Sequence, residues 1–428
     1  MKKLLKKLIP NFLFSLYHWK LAFFGALVYG FPSRKLKVIG VTGTKGKSTV
    51  VILAGKILAE SDAKTGWVSS LTINDGEKEV MNPYHMTMPG RFFIQKTLAQ
   101  MVKNGCKFAI VEVTSEGIKQ HRHKFINFSG AVFTNLAPEH IEAHGSFEKY
   151  REAKLKLFEA VAKNKDGFGV YNLDDENVND FLKPDIKRKY GCTLKSNNQF
   201  SITNFQSILK FSNIQLNSSG SEFEILDTKF KTNLLGEFNV YNCAAAIAVG
   251  QACGVELEAA KNALEKIKSI PGRLEIIDEG QDFEVVVDLA HTPDSFFQVF
   301  RLFKGLSHNR IISVFGSAGG GRDKWKRPEL GKIASGNCDV VIICNEDPYD
   351  EDPLIIADAI LAGCDKNKAD IVLDRREAIA KALSLARAGD IVLILGKGTE
   401  QMMVIGNNKM YWDDREVVRE ELRKVSVL

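Results

Sequence analysis

The chain has 428 residues, 45% of them hydrophobic and 26% charged, which suits a globular protein of two or three domains and excludes a low-complexity chain. Its formal net charge of +6 arises in the first 37 residues, which hold eight basic and no acidic side chains. The remainder carries a net charge of −2, which argues against a nucleic-acid-binding body, so small-molecule substrates and no nucleic-acid partner are expected. The seven cysteines form no CxxC pair, so neither a zinc ribbon nor a disulfide framework is indicated.

The N-terminal segment 1–36 is basic and apolar, and we predict a helical arm there. Lys20 separates two uncharged stretches, 8–19 and 21–33, each shorter than the roughly 20 residues that span a bilayer. One hypothesis is an interfacial helix or re-entrant hairpin at the inner face of the cytoplasmic membrane, helped by anionic lipid. The alternative is a pair of helices packed on the main body or on a partner subunit. A cytoplasmic location is expected in either case.

A phosphate-binding loop follows the arm. A short apolar strand leads into TGTKGKST at 42–49, and an apolar stretch with helical spacing comes next. Glycines let backbone N–H groups approach phosphate oxygens, and the helix N-terminus adds positive potential. Lys47 is predicted to reach the β- and γ-phosphates and Ser48 to hold Mg²⁺. Val41 stands where the common GxxxxGK[ST] pattern has its first glycine, so this loop is a tighter GxxGKS. The predicted ATP contacts are Gly43, Thr44, Lys45, Gly46, Lys47, Ser48 and Thr49.

Strands and helices alternate along most of the chain. Near-continuous apolar runs are typical of parallel strands that are buried on both faces. Such runs predict strands at 37–41, 108–114, 130–136, 167–173, 284–290, 310–316, 339–345 and 390–395. Residues 186–235 instead contain short alternating stretches rich in Asn, Ser, Thr and Phe, which predict a small antiparallel β subregion.

We therefore predict an α/β fold in three segments. The helical arm at 1–36 precedes a central P-loop ATPase domain at 37–270, which has a parallel sheet plus the small antiparallel β subregion. A Rossmann-like C-terminal α/β domain occupies 271–428. The Ile-Pro-Gly sequence at 270–272 indicates a linker, and a hinge there would let the C-terminal domain close over a reactive intermediate.

An ordered set of short motifs runs from the phosphate loop towards the C-terminus. The motifs are GTKGKST, VEVTS at 111–115, QHR at 120–122, TNL at 134–136, YREAK at 150–154, GEFN at 236–239, GRLE at 272–275, DLAHTPD at 288–294, GRDK at 321–324 and GKGTE at 396–400. Together and in this order they resemble the Mur ligases, in particular the MurE-type branch that adds the third amino acid to the peptidoglycan stem peptide. The resemblance implies an ATP-dependent, ADP-forming ligase that activates a carboxylate as an acyl phosphate and joins it to an amino acid.

The resemblance also implies metal ligands and catalytic residues. ATP and two Mg²⁺ ions are expected, because several negatively charged groups must share one small space. Lys154 matches a lysine that is carbamylated in the family, although on sequence alone it would pass for an exposed helical lysine. The implied metal ligands are Ser48, Glu112, His140 and Lys154. The implied catalytic residues are Lys47, Lys154 and His291.

Further ATP contacts are implied outside the loop. They are Asn239, Asn242, Arg273 and Asp288. The two asparagines also introduce an Ala-rich helix, so helix capping explains them equally well. His291 follows a buried strand at its carboxyl end, where the sites of α/β proteins gather. Thr292 or Asp294 is a candidate cap for the next helix.

The acceptor-binding region departs from the family in one respect. Only 36 residues precede the first predicted strand, too few for the usual domain that grips the UDP part of the substrate. Six residues nevertheless match acceptor-binding positions: Thr87, Met88, Pro89, Ser115, Gln120 and Arg122. We expect a muramyl-peptide-like acceptor, and a lipid-linked form is a hypothesis beside the UDP-linked one.

The second departure concerns the amino acid, whose predicted contacts are Arg322, Glu346, Asp347, Tyr349, Gly396 and Glu400. Diaminopimelate-adding members carry Asp-Asn-Pro-Arg where this chain has Glu-Asp-Pro-Tyr at 346–349, so the arginine that would pair with the extra carboxylate is missing. The acidic surroundings, which also include Asp350 and Glu351, favour a diamino acid such as lysine. Diaminopimelate stays open, since Arg322, Lys324 or Arg327 could supply the lost charge. A solvated acidic surface loop is the other explanation.

Two other functions remain open. A ligase similar to folylpolyglutamate synthetase would share the phosphate loop, but such enzymes usually have His-Asn-Pro where this chain has His-Thr-Pro at 291–293. A membrane-associated nucleotide-binding protein without ligase activity is disfavoured by the joint presence of Lys47, Glu112, His140 and Lys154. A P-loop kinase or GTPase would leave the C-terminal motifs unexplained.

Overall fold

The computed structural model describes residues 11–84, 86–139, 144–195, 204–217 and 219–425. The chain folds as two compact units, 1–268 and 269–428. Each unit is built around a main sheet of its own.

Unit 1 contains an eleven-stranded sheet in the order β11-β10-β9-β8-β7-β6-β1-β5-β2-β3-β4. Its strands are β1 (Lys37–Thr42), β2 (Thr65–Val68), β3 (Thr72–Asn74), β4 (Glu79–Met81), β5 (Phe108–Glu112), β6 (Phe128–Phe133), β7 (Phe168–Asn172), β8 (Arg188–Thr193), β9 (Ser207–Asn217), β10 (Gly220–Ile225) and β11 (Thr228–Thr232). The strands at its centre are parallel and almost wholly buried, as their apolar runs predict. Their carboxyl ends therefore meet along one edge, where β1 passes into the phosphate loop and β5 ends at Glu112.

Helices cover both faces of this sheet. They are α1 (Asn11–Val28), α2 (Lys47–Glu60), α3 (Arg91–Lys103), α4 (Ser115–Lys119), α5 (Phe147–Val161), α6 (Val178–Leu182), α7 (Glu237–Ala252) and α8 (Leu257–Lys266). A short 3₁₀ turn, Pro32–Lys35, joins α1 to β1. Helix α2 is buried for most of its length and packs against α7, and that packing fixes the direction in which its N-terminus points.

Two predictions for unit 1 need correction. The β subregion at 186–235 is only partly antiparallel: β8 pairs in parallel with both neighbours, and the antiparallel pairs join β9, β10 and β11 at the edge of the main sheet. In the arm, neither a hairpin nor a helix pair forms among the described residues, because one helix runs through Lys20 from Asn11 to Val28. At the opposite edge, β2–β4 form antiparallel pairs that the short, mixed sequence did not predict.

Unit 2 contains a six-stranded sheet in the order β12-β13-β17-β14-β15-β16. Its strands are β12 (Glu275–Ile276), β13 (Glu284–Asp288), β14 (Ile311–Phe315), β15 (Val340–Ile343), β16 (Ala369–Ile371) and β17 (Ile391–Leu395), and a separate hairpin is formed by β18 (Met402–Ile405) and β19 (Asn408–Tyr411). All neighbours except β12 and β13 pair in parallel. Its helices are α9 (Pro293–Lys304), α10 (Lys326–Asn337), α11 (Pro353–Leu361), α12 (Arg375–Leu385) and α13 (Asp414–Val425). This architecture confirms the predicted fold class.

A fully buried ion pair fastens the last helix of unit 2. The guanidinium of Arg375, at the start of α12, lies 2.6 Å from Oδ2 of Asp414, and neither side chain is exposed to solvent. The same guanidinium donates to the carbonyl oxygen of Leu395 at the end of β17, and Trp412 Nε1 donates to Asp414. The pair therefore connects α12, β17 and α13 in the interior of the unit.

No helix within the described parts of the chain combines the length and apolar character needed to cross a bilayer.

Candidate active site

Two glycines allow the phosphate loop to fold as it does. Gly46 adopts φ +80° at the N-cap of α2, a left-handed conformation that costs other residues energy. Gly43 has φ +150°, and a Cβ there would lie 1.9 Å from Oγ1 of Thr134. A Cβ at Gly46 would lie 2.2 Å from Oδ1 of Asn242. The loop therefore requires glycine at both positions, and it leaves the N-terminus of α2 facing the predicted phosphate site.

Ser48 and Glu112 meet at the start of α2. Ser48 Oγ donates to Glu112 Oε2 over 2.8 Å, and the Glu112 side chain is only 2% exposed. The same carboxylate oxygen accepts the backbone N–H of Ser70 at 2.8 Å, and the Ser48 and Ser70 hydroxyls are 2.7 Å apart. A buried carboxylate beside two hydroxyls is a set of hard oxygen donors that suits Mg²⁺.

Lys154 is buried beneath the loop, at 2% exposure. It lies on the inner face of α5, its Nζ donates to the carbonyl oxygen of Gly43 at 2.6 Å, and it stands 4.5 Å from the ring centroid of Tyr150. Burial, reinforced by the positive charge of Lys47, holds the pKa of Lys154 well below its usual range. A buried amine with a lowered pKa is the form that can react with CO₂, so the environment fits carbamylation.

Segment 134–139 holds two of the remaining loop side chains, Thr44 and Lys45. Thr44 Oγ1 accepts from the backbone N–H of Ala137 and lies 3.2 Å from the Tyr150 hydroxyl. Lys45 forms an ion pair with Glu139 at 2.9 Å. Lys47 Nζ donates to the carbonyl oxygen of Thr44, 2.9 Å away, so its ammonium folds back over the loop. Thr49 is buried in the first turn of α2.

The two asparagines of the GEFN motif border the same loop. Neither is the cap of α7, since Gly236 occupies the N-cap position without a side-chain bond. Asn239 donates to the carbonyl oxygen of Leu235, and Asn242 donates to Oδ1 of Asn239. Both are buried, and Asn242 lies against Gly46. The helix-capping explanation is thus wrong, and contact with adenine stays a prediction.

Of the four predicted metal ligands, His140 lies outside the described residues, and so do its neighbours up to residue 143. Among the residues that are described, no group of three or more His, Cys, Asp or Glu side chains is arranged to hold a metal ion. Ser48, Glu112 and Lys154 surround the loop, however, so three of the four predicted ligands come together in one place.

Most of the predicted acceptor residues form a second group in unit 1. Arg122 donates to the carbonyl oxygen of Met88 and to Oε1 of Gln120. Ser115 begins α4, and its hydroxyl is 3.1 Å from Nε2 of His144. Thr87 and Pro89 flank the buried Met88 and are themselves half-buried.

In unit 2, the predicted residues near the end of β13 are held by backbone contacts. Asp288 accepts from the N–H groups of Leu274 and Ala290, which fixes the segment that precedes β12. His291 Nδ1 lies 2.7 Å from the carbonyl oxygen of Leu289. Thr292 is the N-cap of α9 in a capping box, and it is one of the two residues, Thr292 and Asp294, that were predicted as caps. Arg273 is half-buried.

A buried charged cluster lies at the carboxyl ends of β15 and β17. Lys397 is fully buried and pairs with Asp347 at 3.0 Å and with Glu400 at 3.1 Å. Burial opposes its charge, but those carboxylates outweigh burial and raise the pKa of Lys397. Glu346 is 6% exposed, and its Oε2 accepts no hydrogen bond from the described part of the chain. Burial raises the pKa of Glu346. Gly396 borders this oxygen, since a Cβ there would lie 2.7 Å from it.

Three cations were candidates to replace the missing arginine, and two of them form ion pairs whereas the third is exposed. Arg327 is buried and pairs with Glu351 at 3.1 Å, and Lys324 pairs with the same carboxylate at 3.0 Å. Glu351 is thereby neutralised and does not add to the acidic character of the cluster. Arg322 is exposed, and Tyr349 is half-buried with φ +53°.

Three residues that contribute to these sites, Ser70, Tyr150 and Lys397, were not predicted from the sequence. Ser70 follows β2 in a segment without a recognisable motif, so no signal was available. Tyr150 and Lys397 both lie inside quoted motifs, but their burial, which sets their roles, depends on tertiary packing.

Comparisons with known proteins give a consistent result. The family model "Mur ligase middle domain" matches residues 41–250, and "Mur ligase, glutamate ligase domain" matches residues 272–398. The UDP-N-acetylmuramyl-tripeptide synthetase of Borreliella afzelii is 40% identical over 406 residues, covering 92% of this chain and 79% of that protein. UDP-N-acetylmuramoyl-L-alanyl-D-glutamate--2,6-diaminopimelate ligase 1 of Clostridium acetobutylicum is 34% identical, with 95% and 82% covered. A solved structure of a UDP-N-acetylmuramoyl-L-alanyl-D-glutamate--2,6-diaminopimelate ligase has 29% identity and a TM-score of 0.62, covering 91% of this chain and 79% of that one.

Proposed function

Because this chain belongs to the Mur ligase family and is an ATP-dependent, ADP-forming amide ligase of peptidoglycan synthesis, we propose that it adds a diamino acid to a muramyl-peptide-type acceptor. In the first step, a carboxylate oxygen of the acceptor attacks the γ-phosphorus of ATP, and the bond to ADP breaks. The amine of the incoming amino acid then attacks the acyl carbon, loses a proton and displaces phosphate.

The observation that carries this proposal is the convergence of Lys47, Ser48, Glu112 and Lys154 on one loop. Backbone N–H groups at the start of α2 bind the phosphates, and Lys47 neutralises charge on them. Ser48 and Glu112, with His140, would hold Mg²⁺, which when bound neutralises the charge that develops on the transferred phosphoryl group. Lys154, once carbamylated, would place a carboxylate beneath the loop and supply a ligand for a second ion. The predicted roles of His291 in catalysis and of Arg273 and Asp288 in nucleotide binding complete the proposal.

The buried cluster of unit 2 supports a diamino acid as substrate. Glu346 Oε2 has no hydrogen-bond partner among the described residues, and an ammonium group of the substrate is the ligand that would satisfy it. Lys324 and Arg327 both pair with Glu351, which reduces the positive charge that they offer to a further substrate carboxylate, and Nε of Arg327 has no hydrogen-bond partner among the described residues. Arg322 is exposed and would bind the α-carboxylate, an assignment that leaves only these two paired cations for the second carboxylate of diaminopimelate. Lysine-like substrates are therefore preferred over diaminopimelate.

Phosphate release provides the direct test. The full-length protein is assayed with ATP, a panel of acceptors and a panel of amino acids that includes diamino acids of different chain length, diaminopimelate, alanine and glutamate. The acceptors are the UDP-linked dipeptide, its lipid-linked counterpart and a folate. Release that requires a muramyl acceptor and one diamino acid supports the proposal. Release with the folate and glutamate, or without any acceptor, would refute it, and equal rates with both muramyl acceptors would exclude a special lipid-linked substrate.

A substitution tests the assignment of the amino acid site. Tyr349→Arg restores the charge that diaminopimelate-adding members carry, so we expect it to raise the ratio of diaminopimelate to lysine turnover by about tenfold, the effect of about 1.4 kcal/mol. Tyr411→Arg is the matched control, because Tyr411 is exposed on β19 of the same unit. An equal change of the ratio in both variants would contradict the assignment.

A further inference from the structure

One face of helix α1 is exposed and almost entirely apolar. The residues on this face follow helical spacing and share the side that points away from the body. They are Leu13, Leu16, Tyr17, Lys20, Phe24, Leu27 and Val28. The apolar members are between 43% and 65% exposed, and Lys20 is the only charged residue among them. We call these seven residues the α1 stripe.

The opposite face of α1 is fixed to unit 1. His18 Nδ1 contacts Nη2 of Arg91 on α3, and Ser15 Oγ lies 2.7 Å from Nε2 of His121. Trp19 and Phe23 both pack edge-on against Phe125. Ala22 and Ala26 are buried beneath the helix. Since one face is bound to protein, the helix cannot be surrounded by lipid, but the α1 stripe can enter a surface against which the whole unit rests.

In the part of the chain that contains the α1 stripe, every charged side chain is positive. Residues 1–59 contain eleven lysines and arginines and no aspartate or glutamate, and the first acidic residue is Glu60. Lys2, Lys3, Lys6 and Lys7 precede the helix, and the exposed Arg34 and Lys35 follow it. An apolar face bordered by cations is complementary to a membrane whose acyl region is apolar and whose headgroups are anionic.

We propose that the α1 stripe docks unit 1 on an anionic lipid bilayer. The apolar side chains of the stripe enter the boundary between headgroups and acyl chains, to a depth of about 5–10 Å. Lys20 extends its ammonium to the headgroups, and the exposed Arg34 and Lys35 bind lipid phosphates. The docking does not depend on ligase chemistry, so it can be measured separately from activity.

Vesicle flotation with the full-length protein tests the proposal. Vesicles of phosphatidylcholine alone are compared with vesicles that contain phosphatidylglycerol, at low and high salt. We expect binding to the anionic vesicles, little binding to the neutral ones, and a loss of binding as salt rises. Lys20→Gln should weaken binding about fivefold, which corresponds to about 1 kcal/mol for one basic residue near the surface.

A matched pair of variants separates the stripe from general surface hydrophobicity. Phe24→Glu combined with Leu27→Glu should abolish flotation, because two carboxylates would enter the lipid boundary. Leu354→Glu combined with Ile355→Glu makes the same change at exposed positions of α11 and should leave flotation unaltered. Circular dichroism and ligase activity of both variants establish that they are folded.

Three outcomes would overturn the proposal. The first is equal flotation on neutral and anionic vesicles, and the second is flotation that survives the change at Phe24 and Leu27. The third is that the wild-type protein does not bind vesicles but forms a dimer in sedimentation, and that the variant changed at Phe24 and Leu27 sediments as a monomer. In that case a second copy of the chain, and not lipid, would cover the stripe.

Discussion

Replacing Lys154 gives the most demanding test of the proposed site. In Lys154→Ala the side chain beyond Cβ is lost from a fully buried position beneath the phosphate loop, and its hydrogen bond to Gly43 is lost with it. Removal of one group that stabilises transition-state charge typically lowers kcat by about 10²–10³-fold. We therefore expect a loss of at least that size in phosphate release that depends on the acceptor and the amino acid.

The cavity left by this substitution makes the loss reversible. Acetate has as many non-hydrogen atoms as the part of the side chain that is removed, and it can place a carboxylate where the carbamate is proposed to lie. Millimolar acetate or formate should therefore restore part of the activity of Lys154→Ala. Lys154→Met removes the amine but fills the space, so it should be equally inactive and should not be rescued.

The assay needs a control for charge and a readout apart from turnover. Lys156 lies on the exposed face of the same helix. Lys156→Ala therefore removes one positive charge away from the phosphate loop and should retain activity. Carbon-13 NMR with labelled bicarbonate should show a carbamate signal in the wild-type protein that is absent from both Lys154 variants. Full activity of Lys154→Met, or a carbamate signal that persists without Lys154, would refute the proposed role.

Three further predictions follow from the geometry. Arg375→Met should lower the free energy of unfolding in urea by about 3–5 kcal/mol, because it leaves the buried aspartate unpaired, whereas Arg376→Met removes only partly exposed pairs and should cost about 1 kcal/mol or less. Gly43→Ala should abolish ATP binding in calorimetry, because its Cβ would collide with the neighbouring strand end, whereas Gly336→Ala meets no neighbouring atom and should bind ATP normally. Burial raises the pKa of Glu346, so the pKa of this group in the folded state lies above its value in the unfolded state. The free energy of unfolding therefore falls as pH rises from about 4.5 through the folded-state pKa. Urea titrations between pH 4 and 8 should show Glu346→Gln gaining stability over the wild type as pH rises, and a constant difference would contradict the raised pKa.

Much of the fold could be predicted because its signals are local. Continuous apolar runs located all eight predicted strands, since a parallel strand buried on both faces excludes polar residues wherever it occurs. Strands β2–β4 were missed because each spans only three or four residues, which is too short for such a run, even though β2 is fully buried. The parallel pairing of β8 with β9 was missed for a different reason: pairing direction depends on what lies between two strands, not on the strands themselves.

The site was predictable where chemistry requires particular residues in sequence, and not where packing decides. Gly43 and Gly46 follow from the backbone conformation of the loop, and Ser48 follows from the register of the helix. The burial of Lys154 beneath that loop could not be read from its helix, in which it resembles Lys156. The engagement of Lys324 and Arg327 by Glu351 likewise emerges only when α10 is placed beside the loop that follows β15.

The ion pair between Arg375 and Asp414 has a consequence for biosynthesis. Every strand of the six-stranded sheet has been synthesised before residue 414 is translated, yet until then the guanidinium of Arg375 lacks the Asp414 carboxylate with which it pairs in the interior. A nascent or prematurely terminated chain that lacks α13 therefore carries an unneutralised cation in its core. The second unit should become stable only when translation is nearly complete, so that truncated products remain open to cellular proteases.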